Sequence, residues 1–204
     1  MKTIILDMYG VIIKDPEGGL MPFINRTFPN LTDYDVYQHW KKANIGGLSS
    51  LDFFQKVGFK GDISKIESEY LNSIEIDETF YEAVSVIRND YRLALLSNDL
   101  TEWSTYLRNK FELNDFFDLI IVSGNVKMKK PDPQIFEHIL CKLDQPAHDC
   151  IFVDDRIMNL AAAQRLGINT VLFNRTNASY DGKMIYSFSE LTDLLYQPEP
   201  FVYL

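Results

Sequence analysis

The sequence predicts an α/β fold, a doubly wound parallel sheet with an α-helical segment inserted after its first strand. Three observations carry this. Short apolar runs alternate with stretches of helical period; those runs are continuous, without polar interruption; and residues 15–78 show helical spacing with no strand of their own. Alternation of the first kind is the pattern of β-α units in a parallel sheet. Uninterrupted apolar strands belong to a sheet covered by helices on both faces.

Taken in order, the first strand is Thr3–Asp7, and the later ones are Arg92–Ser97, Asp118–Ser123, Cys150–Asp154 and Asn169–Phe173. Helices are expected near Asp77–Asn89, Thr101–Phe111, Pro133–Leu143 and Arg156–Leu166, the last stopped by Gly167. Within the insertion, apolar residues recur at three- and four-residue spacing in three groups. These are Val36, Tyr37 and Trp40; Leu51, Phe53, Phe54 and Val57; and Ile63, Ile66, Tyr70 and Leu71. Breaks fall at Asp15-Pro16-Glu17-Gly18-Gly19, at Gly46-Gly47 and over Gly58–Gly61. Amphipathic helices with no strand beside them are expected to pack on each other as a small bundle. The domain reading is therefore a core of residues 1–14 and 79–204 carrying a helical insertion of residues 15–78. The tail after Pro198 reads as a loose or docked end.

The chain of 204 residues suits one domain with an insertion. Its 29 acids against 20 bases give a net charge of −9, with no basic stripe to offset it. That balance opposes nucleic acid and anionic membranes as partners. Any phosphate site must then be built from local donors and a bound cation. The apolar runs fall far short of the roughly 20 residues that cross a bilayer. Asp7 interrupts the apolar N-terminus, which reads as a strand and not as a signal peptide. Cys141 and Cys150 make neither a disulfide framework nor a metal quartet, so a reducing cytoplasm is the expected location.

Ligands of an open parallel sheet bind beyond the carboxyl ends of its strands. There stand Asp7-Met8-Tyr9-Gly10-Val11, then Ser97-Asn98-Asp99, then Ser123-Gly124 with Lys129-Lys130-Pro131-Asp132-Pro133, and finally Asp154-Asp155. An Asp after a strand is by itself usually a turn or a cap; all four segments together are hard to produce by chance. A carboxylate can attack phosphorus to give an aspartyl-phosphate that water hydrolyses. Its approach to a dianion needs charge cancelled, by Mg²⁺ on one or two carboxylates and by a lysine. Hydroxyl and backbone N–H groups hold the remaining oxygens.

In order and spacing these segments resemble the four motifs of the haloacid dehalogenase-like hydrolases. The resemblance implies a Rossmann-like core, with Asp7 as nucleophile and the Tyr9 backbone carbonyl as a metal ligand. It also implies Ser97 as the hydroxyl of the second motif and Lys130, in Lys130-Pro131-Asp132-Pro133, as the lysine of the third. Val153-Asp154-Asp155-Arg156, followed by Asn159 and then Ala162-Ala163 and Leu166-Gly167, is similar to the fourth and most specific motif. By that match Asp155 binds Mg²⁺, while Asp154 supports Lys130 or the metal's water. Ser97, Asn98, Lys130 and the Tyr9 segment are then the groups that meet a small phosphorylated substrate. The helical insertion resembles the cap that one subfamily carries between its first two motifs.

Tyr9 departs from the pattern. The family's phosphatases usually carry a second Asp there, to protonate the leaving alkoxide and then activate water; a phenol with a pKa near 10 is a poor base at neutral pH. The family's L-2-haloacid dehalogenases do have Tyr at this position. They lack the acidic pair, however, and Asp154 and Asp155 would repel a monoanionic carboxylate unless a cation lay between. Small sugar-phosphate phosphatases of the same class also lack this Asp while keeping an Asp-Asp-Arg-x-x-Asn fourth motif, and the chain resembles them more. A Mg²⁺-dependent phosphomonoesterase, acting on a small metabolite such as a sugar phosphate, is the expectation. A binding-only relative and a 2-haloacid dehalogenase remain open alternatives. For the latter, Trp40-Lys41 is the nearest candidate halide site, and a lysine is no guanidinium.

The remaining signals are weaker. His39, His138 and His148 lack metal-ligand spacing, and of Lys127, Lys129 and Lys130 one is expected to face the site. Trp40, Phe53 and Phe54 read as core of the insertion. Arg156 is either a surface residue or an anchor for Asp154. No Gly-x-x-x-x-Gly-Lys, Gly-x-Gly-x-x-Gly or Gly-x-Ser-x-Gly run exists, which removes the usual nucleotide, dinucleotide and serine-hydrolase readings.

Overall fold

The computed structural model describes residues 1–14, 19–28 and 32–196. Its centre is a six-stranded sheet in the order β5-β4-β1-β6-β7-β8, every neighbouring pair parallel. The strands are β1 (Thr3–Leu6), β4 (Arg92–Ser97), β5 (Leu119–Val122), β6 (Cys150–Asp154), β7 (Asn169–Phe173) and β8 (Met184–Ile185). The remaining two strands, β2 (Ile13–Lys14) and β3 (Glu75–Ile76), form a separate antiparallel pair.

Alternate residues of the central strands feed two apolar clusters, as continuous hydrophobic runs require. Ile4, Leu6, Leu93, Leu95 and Val153 point to one face, and Ile5, Ala94, Leu96 and Phe152 to the other. The first face is covered by α5 (Phe80–Ile87), α6 (Thr101–Lys110) and α10 (Phe188–Tyr196), through Phe80, Val84, Trp103, Leu107 and Phe188. The second is covered by α8 (Pro133–Leu143) and α9 (Ile157–Arg165), through Ile135, Phe136, Ile139 and Leu160. Complete burial of such side chains stabilises the fold by about 1.5–3 kcal/mol each. Leu6 lies opposite both Leu95 and Val153. That register sets Asp7, Ser97 and Asp154 along one edge, where β1 is flanked by β4 and β6 and the strand order reverses.

Between β2 and β3 the chain forms α1 (Leu20–Thr27), α2 (Asp33–Ala43), α3 (Ser50–Lys56) and α4 (Ile63–Ser73). Local sequence starts three of them. Thr32 and Asp62 accept helix N–H groups at the starts of α2 and α4. Ser49 and Asp52 make a reciprocal capping box at α3.

These helices do not enclose a core of their own. Their buried residues join the cluster on the first face of the sheet, with the Trp103 ring as the meeting point. It stands 5.3 Å from Tyr70, 5.6 Å from Trp40 and 6.2 Å from Phe54, and its indole donates to Glu67. Lys110 Nζ closes the end of α4, donating to the carbonyls of Leu71, Asn72 and Ile74 at 3.0, 3.1 and 2.7 Å. The end of α2 is docked by the buried Ser123 hydroxyl, which donates to the Asn44 carbonyl at 2.5 Å.

Several features differ from the sequence expectation. The insertion is rooted in the β2–β3 pair, whose strands are too short to show a period. It also holds a fourth helix, α1. Tyr37 and Leu51, expected on apolar faces, are each 50% exposed. Ser123 does not close a strand but opens α7 (Ser123–Val126). Neither β8 nor α10 was expected. The break at residues 15–18 and the tail after Pro198 lie outside the described residues.

Candidate active site

Asp7 follows β1 directly, and its N–H still reaches the Val153 carbonyl at 3.0 Å, so the sheet fixes its backbone. One carboxylate oxygen accepts the Met8 N–H at 2.7 Å. The chain then closes a tight turn: the N–H groups of Ile12 and Ile13 both donate to the Met8 carbonyl at 2.9 Å, and Gly10 N–H donates to Ile13. Gly10 has a φ of +77°, and a Cβ there would overlap the Asp155 carboxylate. Glycine is thus required twice, for its backbone angle and for the close approach.

Lys130 fills the space between the first and fourth segments. Its Nζ lies 2.8 Å from Asp7 Oδ1 and 2.7 Å from Asp154 Oδ2, with its side chain 1% exposed. Asp154 is fully buried and its oxygens are taken up. Besides Lys130 they accept Arg156 N–H at 2.8 Å and Asn159 Nδ2 at 3.0 Å to each oxygen. Asp155 differs, for its Oδ1 is buried with no hydrogen-bond partner. One carboxylate oxygen from each of Asp7, Asp154 and Asp155 lies within 4.8 Å of the others.

Three carboxylates thus face one ammonium. Burial pulls the Lys130 pKa down, but Asp154 and Asp7 more than offset this, and it stays above its ordinary value. Burial, reinforced by the charge of Asp154, pushes the Asp155 carboxyl up to about 6. Burial likewise raises Asp7, with Lys130 opposing and the two other carboxylates adding to the rise. A group of buried carboxylates under-supplied with positive charge, one oxygen of which lacks a donor, fits a divalent cation of the hard, oxygen-seeking kind. Asp7 and Asp155 would hold Mg²⁺, with Asp154 behind them.

The other sequence-derived residues sit around this group. Ser97 is fully buried at the end of β4 and its Oγ has no hydrogen-bond partner. Asn98 clamps the Lys130 peptide, accepting its N–H and donating to its carbonyl, both at 2.8 Å. In this structure the Asn98 side chain therefore holds the lysine's backbone in place. The Tyr9 hydroxyl donates to Asp99 Oδ2 at 3.3 Å. Asp99 is wholly buried, and burial keeps its carboxyl well above the ordinary range. Of the three lysines, Lys130 faces the carboxylates. Arg156 meets Asp154 through its backbone N–H, while its side chain is exposed.

Three residues received no role from the sequence. Asn159 had a visible signal, since five residues after Asp154 lies the first turn of the following helix. Asp99 stood in the second segment but looked like a turn residue. Arg175, which reaches the Gly10 and Val11 carbonyls, had no signal at all.

Comparison with known proteins agrees with this geometry. A family model for haloacid dehalogenase-like hydrolases matches residues 1–167. The sesquiterpene phosphatase astK of Aspergillus oryzae is 29% identical over 82% of this chain and 87% of its own length. The drimenol cyclase drtB of Aspergillus calidoustus is 22% identical over 86% of this chain, which spans only 34% of that protein's length. Among solved structures, a HAD-family enzyme of Bacteroides thetaiotaomicron, in complex with magnesium and inorganic phosphate, superposes with a TM-score of 0.75 at 20% identity. That likeness covers 89% of this chain and 98% of that one.

A parallel α/β sheet with buried carboxylates and a lysine gathered at one edge defines a hydrolase class built around an aspartate. This chain belongs to the haloacid dehalogenase-like hydrolases. Among the described residues, no helix is long and apolar enough to cross a membrane.

Proposed function

We propose that this chain is a Mg²⁺-dependent phosphomonoester hydrolase acting on a small phosphorylated metabolite. The observation that supports it most is the clustering of Asp7, Asp154 and Asp155 within 4.8 Å around the single ammonium of Lys130. An Asp7 oxygen attacks phosphorus in line, the bond to the leaving oxygen breaks, and the departing alkoxide takes a proton. Water then attacks the aspartyl-phosphate and returns Asp7 as a carboxylate with release of inorganic phosphate. Lys130 neutralises charge beside the nucleophile, and the Ser97 hydroxyl, which lacks a partner, donates to a phosphoryl oxygen. Asp7, Asp155 and the Tyr9 carbonyl would hold Mg²⁺, which would supply the remaining neutralisation. Residues 15–78 act as the cap over a core of residues 1–14 and 79–204 and set the choice of substrate.

The same cluster disfavours a dehalogenase, because a monoanionic 2-haloacid gives two buried carboxylates and the half-buried Asp155 no compensation. Sugar phosphates head the expected substrates, and the name of one fungal relative, a sesquiterpene phosphatase, adds sesquiterpene phosphates. The deciding assay is a panel of sugar phosphates, phosphoglycolate, prenyl monophosphate, pyrophosphate and 2-chloropropionate, each run with Mg²⁺ and with chelator. Phosphate release that depends on Mg²⁺ is the expected result. Halide release that persists in chelator would overturn the reading.

A further inference from the structure

We infer that Arg175 is a positioning residue for this reaction: it fixes the loop after the nucleophile and ties that loop to the point where the helical insertion rejoins the core. The inference rests on the phosphatase reading for its kinetic consequence, and on geometry alone for the tie itself.

Arg175 stands two residues beyond β7, on the far side of β6 from the nucleophile strand. Its Nε donates to the Gly10 carbonyl at 2.8 Å, and its Nη2 donates to the Val11 carbonyl at 2.7 Å and to Asp77 Oδ2 at 2.6 Å. The guanidinium lies over the Phe173 ring, 4.4 Å from its centroid. One side chain thus spans two segments that are far apart in sequence. Gly10 and Val11 lead into the insertion through β2, and Asp77 follows β3 on the way out.

Asp77 is the hub on the exit side. Its N–H donates to the Ile12 carbonyl at 2.8 Å. Its Oδ1 accepts the Thr79 N–H and hydroxyl at 3.0 and 2.6 Å, at the start of α5. Lys14, at 4.0 Å from Asp77, adds a longer ion pair across the same root.

The consequence for chemistry runs through Gly10. Its backbone lies so close to the Asp155 carboxylate that no Cβ fits between them, and it is three residues from Asp7. A shift of the Gly10 carbonyl therefore moves the turn that aims the nucleophile and the wall that confines Asp155 together. A planar guanidinium can hold both carbonyls and the carboxylate at once. A lysine offers one point charge and cannot. Phosphoryl transfer depends on alignment to fractions of an ångström, so a clamp at this place acts on turnover and not on substrate affinity.

The test compares R175Q, R175K and D77N in the full chain, using Mg²⁺ and p-nitrophenyl phosphate, with hydrogen–deuterium exchange as a readout independent of activity. D77N removes the ion pair at the exit segment and leaves the Gly10 and Val11 contacts available. In R175Q and R175K the amides of Gly10, Ile12 and Ile13 should exchange at least about tenfold faster. Their kcat should fall by about 10- to 100-fold with KM little changed. D77N should lower the melting temperature but leave both the exchange of those amides and kcat near wild type. Equal kcat and equal exchange in R175Q, R175K and D77N would overturn the inference, because Arg175 would then be only an anchor for the insertion. If wild type releases no phosphate from any ester, the phosphatase reading fails, while the exchange comparison still decides whether Arg175 holds the loop. Should R175Q fail to fold, R175K carries the same comparison.

Discussion

Lys130 Nζ stands 2.8 Å from Asp7 Oδ1, with the two side chains 1% and 8% exposed. A pair so sealed from water is not equivalent from its two ends. Removing the lysine leaves Asp7 and Asp154 buried without their cation. Lys130→Ala should therefore cost about 3–5 kcal/mol of stability, and at least about 10²-fold in kcat. Asp7→Asn removes a carboxylate whose ionised form burial already disfavours. In chelator it should melt at or above the wild-type temperature, and in Mg²⁺ its turnover should fall to background. Thermal melts and initial rates on the two variants check this. Measurable turnover by Asp7→Asn would remove Asp7 from the nucleophile role, and loss of stability in both variants would show that burial does not disfavour the Asp7 charge.

The second prediction concerns pH. Burial and Asp154 push the Asp155 carboxyl from its ordinary 3.8 up to about 6, and Asp7 moves in the same direction. Between roughly pH 4 and 6 the native state then binds more protons than the unfolded chain, so stability in chelator should fall as pH rises through that window. Mg²⁺ binds the ionised carboxylates and stabilises the native state by mass action. The melting-temperature gain on adding Mg²⁺ should therefore be small at pH 5 and large at pH 7.5. Asp155→Asn should flatten the slope and remove most of the gain. Equal gains at both pH values would show that the metal binds elsewhere.

Five of the six strands of the sheet were legible because each is a largely apolar run, whereas β8, at two residues, carries no such run. Arg92–Ser97, Cys150–Asp154 and Asn169–Phe173 have the same bounds in the structure as in the sequence reading. The β2–β3 pair was not legible, since two-residue strands carry no period and meet only through a long-range contact. The insertion's apolar spacing was visible, but its packing was not: Trp103 lies outside the insertion and gathers Trp40, Phe54 and Tyr70 around it. In the site, adjacency to strand ends exposed Asp7, Ser97, Asp154 and Asp155, while Lys130, which follows α7, was visible through its Lys-Pro-Asp-Pro run. Asn98 was visible too, yet its bonds to the Lys130 peptide depend on two loops meeting. Arg175 lies in a polar loop, and its partners are more than a hundred and sixty residues away at Gly10 and Val11.

The last prediction follows from Tyr9, whose hydroxyl donates to the buried Asp99 at 3.3 Å. The position that usually carries a second carboxylic acid holds a phenol, and its proton is engaged by a neighbour on another strand end. Protonation of the leaving group should then be weak, and the rate should depend steeply on leaving-group pKa. Anomeric sugar phosphates, acyl phosphates and p-nitrophenyl phosphate should be cleaved far faster than simple primary alkyl phosphates. Tyr9→Phe removes the bond to Asp99 but no effective acid, so it should leave the slope of the series unchanged. Tyr9→Asp installs an acid worth about 10²–10⁴-fold when placed well. It should flatten the slope and help the poorest leaving groups most. The measurement is kcat/KM across a leaving-group series for the three proteins. A flat series in the wild type would mean that another group already supplies the proton, and Tyr9 would then serve packing alone.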